Sequence, residues 1–276
     1  MLTVRVIASK VLFRIVMVVL AVIYGFPLAW MVLSSFKSNR ETFRNPLALP
    51  TSIDPGVWAD AWRIGNLGRY ALNSALVTTA TVVLILTLAG LAAYAFSRFE
   101  FGGSSLLLGL LLAGLLMPLQ SYFVAQSELF DALGLKDTRW ALILPYTAMG
   151  LPLAVYLLKA FLDGLPGELF DAARLDGCGD VRMFTALVLP LLRPGLATVA
   201  IFSALNAWNE FLLALLYISD DELKTLPTGL LAFSSRYTTD YQLLFSALSI
   251  VTLPMVAVYV AFHRQVTAGL TEGAVR

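Results

Sequence analysis

Charge and sulfur are both scarce in this chain. Of 276 residues only 13% are Asp, Glu, Lys or Arg, and the formal net charge is +1. So weak a field excludes nucleic acid or another polyanion as the expected partner. A single cysteine, Cys178, leaves no internal disulfide to form, and its plainest reading is a small buried residue. The single histidine, His263, has no cysteine or carboxylate neighbour and makes a poor metal site. Beside Arg264 it reads as a cation at a helix end. No G-x-x-x-x-G-K-[ST] loop surrounds Lys10, Lys37, Lys136, Lys159 or Lys224, so the chain lacks a phosphate cradle of that kind. No sequence-local nucleophile or acid–base arrangement stands out. Neither catalytic nor metal-binding residues are expected, and no cofactor is expected on this chain.

Apolar surface is what the chain has in excess. Hydrophobic residues make up 59% of it and the mean hydropathy is +0.80. A soluble domain cannot hide that much, whereas a bilayer accepts it. Six apolar windows stand out, at 11–33, 72–96, 105–125, 141–161, 196–217 and 243–262. Each holds about 20 residues, enough to cross a core of roughly 30 Å as a helix. Lipid offers no partners to open backbone groups, so helices are the default, and the alternating segments of a membrane barrel do not occur. The expected fold is all-α and integral to the membrane, one domain over residues 1–276. Arg5, Lys10 and Arg14 precede the first run as in a signal peptide. That run continues past Pro27 to Leu33 with no small-residue cleavage site after it, so an uncleaved helix is expected.

With both termini in the cytoplasm, the Lys and Arg residues divide ten inside to nine outside. The positive-inside rule therefore barely decides, though the N-terminal cluster favours this orientation. The loop 34–71 carries Pro46, Pro50, Pro55 and Gly56 and is expected to be irregular and outside. The loop 218–242 is also placed outside, with acids at Asp220, Asp221 and Glu222. No internal repeat is apparent, which speaks against a secondary transporter built from repeated halves.

The segment Leu165–Gly195, between the fourth and fifth windows, is too polar to cross a bilayer and too regular for a slack linker. Pro166 suits a first helical turn. Glu168 and Asp171 favour the positive end of the helix dipole, and Ala172, Ala173, Arg174 and Leu175 are good helix formers. Gly177 stands where a left-handed cap would stop that helix. Asp180 is a candidate cap for a second short helix through Leu189, and Pro190 and Pro194 would end it and turn the chain into the fifth span. The expected product is a helix–turn–helix elbow within a cytoplasmic loop 162–195.

This segment resembles the EAA loop of binding-protein-dependent ABC import permeases: E-A-A, three residues, G, nine residues, then I-x-L-P. Here it runs Asp171-Ala172-Ala173, Gly177 and Leu187-Val188-Leu189-Pro190. Every spacing matches, with Asp171 for Glu and Leu187 for Ile. AAYAFSRFEF at Ala92–Phe101, LGLKDTRWALILPY at Leu133–Tyr146, AWNEFL at Ala207–Leu212 and the tail Arg264–Arg276 are similar to the carbohydrate branch of that family, within it to the maltose-type second permease subunit. The resemblance implies a six-helix type I importer permease in a bacterial or archaeal plasma membrane, the inner membrane in a Gram-negative cell. It implies that Glu168, Asp171, Ala172, Ala173, Asp176 and Gly177 couple to a separate ATPase dimer, which carries ATP and Mg. It also implies a second permease subunit, an extracytoplasmic solute-binding protein, and a carbohydrate or related polyol as solute. Glycerol phosphate, an amino acid and an ion-driven carrier remain as alternatives.

The fifth window contains Asn206, Trp208, Asn209 and Glu210. A carboxylate inside a span points to a cavity or a partner, and Asn206, Asn209 and Glu210 share a helix face at i, i+3 and i+4. Amide, carboxylate and indole suit a sugar. Two other readings stand beside this one: Glu210 solvated near the outer surface, or a polar face against the partner permease. In loop 218–242, Tyr237, Asp240 and Tyr241 suit a transient contact with a binding protein, or simply a solvated loop.

Overall fold

The computed structural model describes the backbone of residues 2–118, 121–234 and 239–272, and the side chains of residues 10–118, 121–234 and 239–261. In chain order its α-helices are α1 (Leu2–Ser34), α2 (Asn39–Arg44), α3 (Gly56–Ile64), α4 (Leu67–Arg98), α5 (Ser104–Ala113), α6 (Phe123–Ala132), α7 (Trp140–Asp163) and α8 (Glu168–Leu175). They continue with α9 (Asp180–Met183), α10 (Leu189–Leu191), α11 (Arg193–Asn209), α12 (Leu212–Tyr217), α13 (Leu226–Gly229) and α14 (Tyr241–Glu272). Among the described residues the only β pairing is one isolated bridge, Ser234 to Thr239. The chain divides into two compact units, Met1–Gly68 with Gly229–Leu253, and Arg69–Thr228 with Pro254–Arg276.

Among the described residues, four helical stretches are long and apolar enough to cross a membrane: Lys10–Ser34, Leu67–Arg98, Trp140–Asp163 and Tyr241–Ala261. They overlap the first, second, fourth and sixth windows. The other two windows are broken. Residues 105–125 were expected as one span, but α5 with its 3-10 extension ends at Leu116. Met117 is extended, with φ −79° and ψ 117°, as the residue before Pro118 must be. At about 1.5 Å per residue the Ser104–Leu116 helix falls short of the bilayer core. Residues 196–217 break at Glu210 and Phe211, between α11 and α12.

In the first unit, α1 leaves its apolar side chains outward, none of its most apolar stretch being buried. The loop 34–71 is not irregular as expected, since it folds α2 and α3. Ser38 and Glu41 form a reciprocal capping box on α2. Trp58 Nε1 donates to Ser35 Oγ at 2.9 Å, and the Trp58 ring stacks on Phe36. Trp30 meets Phe245 edge to face. Asp240 caps α14, accepting from the Leu243 N–H at 3.1 Å, and Tyr241 packs edge-on against Phe43. Tyr237 lies outside the described residues, as does the side chain of His263.

The second unit is built around α7, whose most apolar stretch is 56% buried. One apolar cluster joins α4, α7, α8, α9 and α11 through Ile85, Ala89, Ala93, Leu158, Phe170 and Met183. Another, at the other end of α7, joins it to α4, α6 and α12. Lipid tails are as apolar as leucine, so close packing rather than water exclusion has to hold such helices together. Small residues permit it. A Cβ added at Gly150 would sit 2.4 Å from Ile85 Cδ1, and one at Gly195 would sit 3.0 Å from the Phe161 ring. Gly150→Leu should therefore separate α7 from α4 at a cost of about 1–3 kcal/mol. Thermal unfolding should show a lowered midpoint, and Ile85→Ala in the same chain should recover part of it.

Candidate functional site

The expected elbow is present, and its turn is set by a single glycine. α8 ends at Leu175 with Asp176 as its C-cap, and Gly177 follows with φ +78°, a conformation only glycine adopts without strain. The Gly177 N–H donates to Arg174 O and the Cys178 N–H to Ala173 O, both at 3.0 Å. This pair of bonds is a Schellman motif, and it satisfies two carbonyls that the helix end would leave open. The expected cap at Asp180 is not made. Gly179 is the N-cap of α9, and no side chain bonds there. The second arm also runs past Leu189. After α9 the chain makes one π-helical stretch, Phe184–Val188, and then α10. Pro190 has no N–H for the α-helical ladder, and the π stretch just before it absorbs the mismatch. The arm ends at Leu191, and the axis turns by 73° into α11.

The elbow has a fixed face and a free face. Phe170, Met183, Val188 and Leu192 are buried in the cluster shared with α4 and α7, and Ala173 packs against it half-buried. On the other side Leu175 is 90% exposed and Val181 80%. Glu168, Asp171, Ala172, Asp176 and Gly177 are exposed around them.

The fixed face is held by the end of α4. The Arg98 guanidinium lies over the Phe170 ring, 3.5 Å from its centroid, and donates to the Leu162 carbonyl at the end of α7. Ser97 Oγ donates to Asp163 Oδ1 at 2.7 Å, and Lys159 Nζ pairs with Asp163 Oδ2 at 2.6 Å. Tyr94 Oη reaches the Asp180 carbonyl at 3.4 Å. The sequence Tyr94-Ala95-Phe96-Ser97-Arg98 thus fastens both arms of the elbow to α4 and α7.

A cavity of about 230 Å³ lies between α4, α7 and α11. Its walls are mainly apolar, with Ile85, Met149 and Phe202 among them. Thr81, Tyr146, Ser203, Asn206 and Glu210 bring polar groups to it. Glu210 stands at the break between α11 and α12. Its Oε1 accepts from the Leu213 N–H at 2.9 Å, and its Oε2 from the Ala214 N–H at 3.2 Å and from Tyr146 Oη at 2.6 Å. The carboxylate supplies the acceptors that the first turn of α12 lacks, while α7 holds it in place through Tyr146.

Of the four residues singled out in the fifth window, Asn206 and Glu210 line this cavity, and Trp208 and Asn209 do not. The amides of Asn206 and Asn209 both donate to carbonyls four residues back, Phe202 O and Leu205 O. Neither the Arg98–Phe170 contact nor the Tyr146–Glu210 bond has a signal in the sequence. The segment Leu133–Tyr146 also acquires a structural meaning. Asp137 accepts from the N–H groups of Ser219 and Asp220, and Arg139 donates to Asn73, whose amide in turn holds the Glu222 and Lys224 carbonyls.

The clamp makes a measurable claim. A cation over an aromatic ring contributes about 0.5–2 kcal/mol depending on desolvation, and Arg98→Met removes it together with the Leu162 hydrogen bond. Amide exchange in α8 should quicken by roughly two- to thirtyfold on that scale, while exchange in α12, at the far end of the unit's helices, stays as it was.

Comparison with known proteins agrees with this architecture. Residues 3–271 match the family described as binding-protein-dependent transport system inner membrane component. The chain is 38% identical to the diacetylchitobiose uptake system permease protein NgcG of Streptomyces coelicolor, over 93% of this chain and 85% of that protein. It is 32% identical to the trehalose transport system permease protein SugB of Mycobacterium tuberculosis, over 91% and 92%. It superposes with a TM-score of 0.80 on a chain of a bacterial ABC transporter involved in the import of the acidic polysaccharide alginate, covering 93% of this chain and 95% of that one. At 17% identity that last likeness is one of fold. By the span of the family match and the identity of its relatives, this chain belongs to the inner membrane components of binding-protein-dependent transport systems.

Proposed function

We propose that residues 1–276 act as one transmembrane permease domain of an ATP-binding-cassette importer, taking up a carbohydrate or a related polyol. The observation that carries this reading is the elbow: a short helix, stopped at Gly177, fixed on one face and presenting Leu175 and Val181 on the other. Exposed apolar side chains at the tip of a rigid mount suit a protein cleft better than water. In this reading the cleft belongs to a separate ATPase dimer that binds ATP and Mg. Glu168, Asp171, Ala172, Asp176 and Gly177 form the docking surface, Ala173 packs behind them against the fixed face rather than on that surface, and this chain performs no covalent chemistry. The elbow is then cytoplasmic, and so are both termini.

The cavity supports the solute class. Hydroxyl, amide and carboxylate groups set in an apolar wall suit a molecule with hydroxyls and apolar ring faces. Among the described residues no cation lines it, and Glu210 does, which disfavours a phosphorylated solute. The two relatives named above, for diacetylchitobiose uptake and for trehalose transport, point the same way. A second permease subunit and an extracytoplasmic solute-binding protein complete the assembly in this reading.

The test is ATP hydrolysis and solute uptake by the reconstituted importer carrying Gly177→Asp. A Cβ at Gly177 meets nothing within 4 Å, so the substitution costs backbone strain of about 1 kcal/mol rather than a clash within this chain. The subunit should insert and stay folded while solute-stimulated hydrolysis and uptake fall together. Undiminished hydrolysis and uptake would remove the elbow from the coupling path and the ATPase from its partner surface.

A further inference from the structure

The first unit carries a cluster of cations that the transport reading does not use. α1 is apolar enough to cross a bilayer from Lys10 to Ser34, so the chain just beyond Ser34 emerges at head-group level. There Lys37, Arg40 and Arg44 line one pocket of about 370 Å³ with Glu41, Asn45 and Thr51. Lys37 is 1% exposed, yet its ammonium donates only to a backbone carbonyl, that of Pro46, at 2.7 Å. Buried cations are normally paired with an anion. Among the described residues no carboxylate pairs with Lys37, Arg40 or Arg44.

The one acid in the pocket is already engaged. Glu41 accepts from the Thr51 hydroxyl and from the backbone N–H and hydroxyl of Ser38. These bonds, the Thr51 one foremost, hold its pKa at about 2, so it stays ionised without balancing its neighbours. Three cations against one carboxylate leave the pocket with two positive charges in excess. Around it Phe43, Leu47, Leu49 and Ile53 stand 67–77% exposed. Trp30, which donates to the same Pro46 oxygen at 2.8 Å, adds an aromatic of the kind found at membrane interfaces. Basic and apolar side chains interleaved at the end of a span fit the boundary between head groups and acyl chains.

We propose that this pocket binds the phosphate of an anionic phospholipid, with Arg40 and Arg44 on the head group, the buried Lys37 adding its charge from behind them, and Phe43, Leu47, Leu49 and Ile53 among the acyl chains. A free phosphate ion or an acidic protein surface would satisfy the three cations. Neither would cover the four apolar side chains beside them, and the lipid does both.

The experiment uses the whole importer, exchanged into phosphatidylcholine and titrated with phosphatidylglycerol of the same chain length. Bound lipid is counted by native mass spectrometry. The wild-type complex should retain phosphatidylglycerol in preference to phosphatidylcholine. Arg40→Gln with Arg44→Gln should weaken that retention by roughly thirtyfold, about fivefold for each cation near the membrane surface. Both side chains are exposed and make no ion pair, so folding is not at stake, and Arg63→Gln serves as a control that should leave retention unchanged. Equal retention by the double variant and the wild type would overturn the proposal. So would displacement of the lipid by millimolar inorganic phosphate. Loss of stimulation by the solute-binding protein, with lipid retention intact, would assign the pocket to an acidic protein instead.

Discussion

The guanidinium of Arg98 has two neighbours from different parts of the chain, and the transport reading depends on both. Below it is the ring of Phe170, in the first arm of the elbow, and beside it the carbonyl of Leu162, at the end of α7. An elbow of short helices has little stability of its own, since a helix of eight residues is marginal without packing. In the transport reading, what would make it a lever is that one face is bonded to long helices. Ser97, Asp163 and Lys159 add a small network at the same corner, and Tyr94 holds the second arm. A pair as exposed as Lys159–Asp163 contributes only a few tenths of a kcal/mol alone, so the rigidity rests on the buried Phe170 and the cation above it.

From that corner the path to the cavity runs through two helices. α7 carries Leu162 and Asp163 at one end, lines the cavity midway with Met149 and Gly150, and holds Glu210 through Tyr146 near its start. α11 begins where the elbow's second arm turns by 73° and ends at the Glu210 break. In the transport reading, a push on the elbow therefore reaches both walls of the cavity, and the two walls are tied together at Glu210. The break there is not a defect. The carboxylate replaces the hydrogen bonds lost between α11 and α12, so the chain can change direction in a place where lipid would not satisfy its backbone.

The parts of this arrangement governed by local chemistry could be read from the sequence. The position of Gly177 after a run of helix formers marks it as a left-handed cap, and a Schellman turn needs nothing from elsewhere in the chain. The four long apolar helices follow from hydropathy alone. Hydropathy failed where one residue outvotes a window of about twenty: Pro118 stops the third run although its neighbours are apolar, and Glu210 splits the fifth. Asp180 has the right chemistry for a cap, but Gly179 is the residue with cap geometry, φ −72° and ψ 164°. The clamp was illegible for another reason. Ala92–Phe101 could be seen as similar to other permeases, but nothing in its spacing says that Arg98 will meet Phe170, because that contact is made by the tertiary fold. Helical periodicity groups Asn206, Asn209 and Glu210 on one face, but it does not say how far that face turns inward. Asn206 and Glu210 line the cavity, and Asn209 does not.

The central claim is that the elbow moves as one body with the ends of α4 and α7. With Cys178 replaced by Ser, spin labels at Leu175→Cys in α8 and Phe99→Cys just after α4 would report the distance across the clamp in the assembled importer. The account predicts one narrow distance distribution, unchanged between the nucleotide-free and ATP-bound states, while a label pair from Leu175→Cys to the ATPase or across the cavity shifts. A distribution across the clamp that broadens or moves on ATP binding would contradict it, because the elbow would then be a flexible tether and its motion would not reach the cavity.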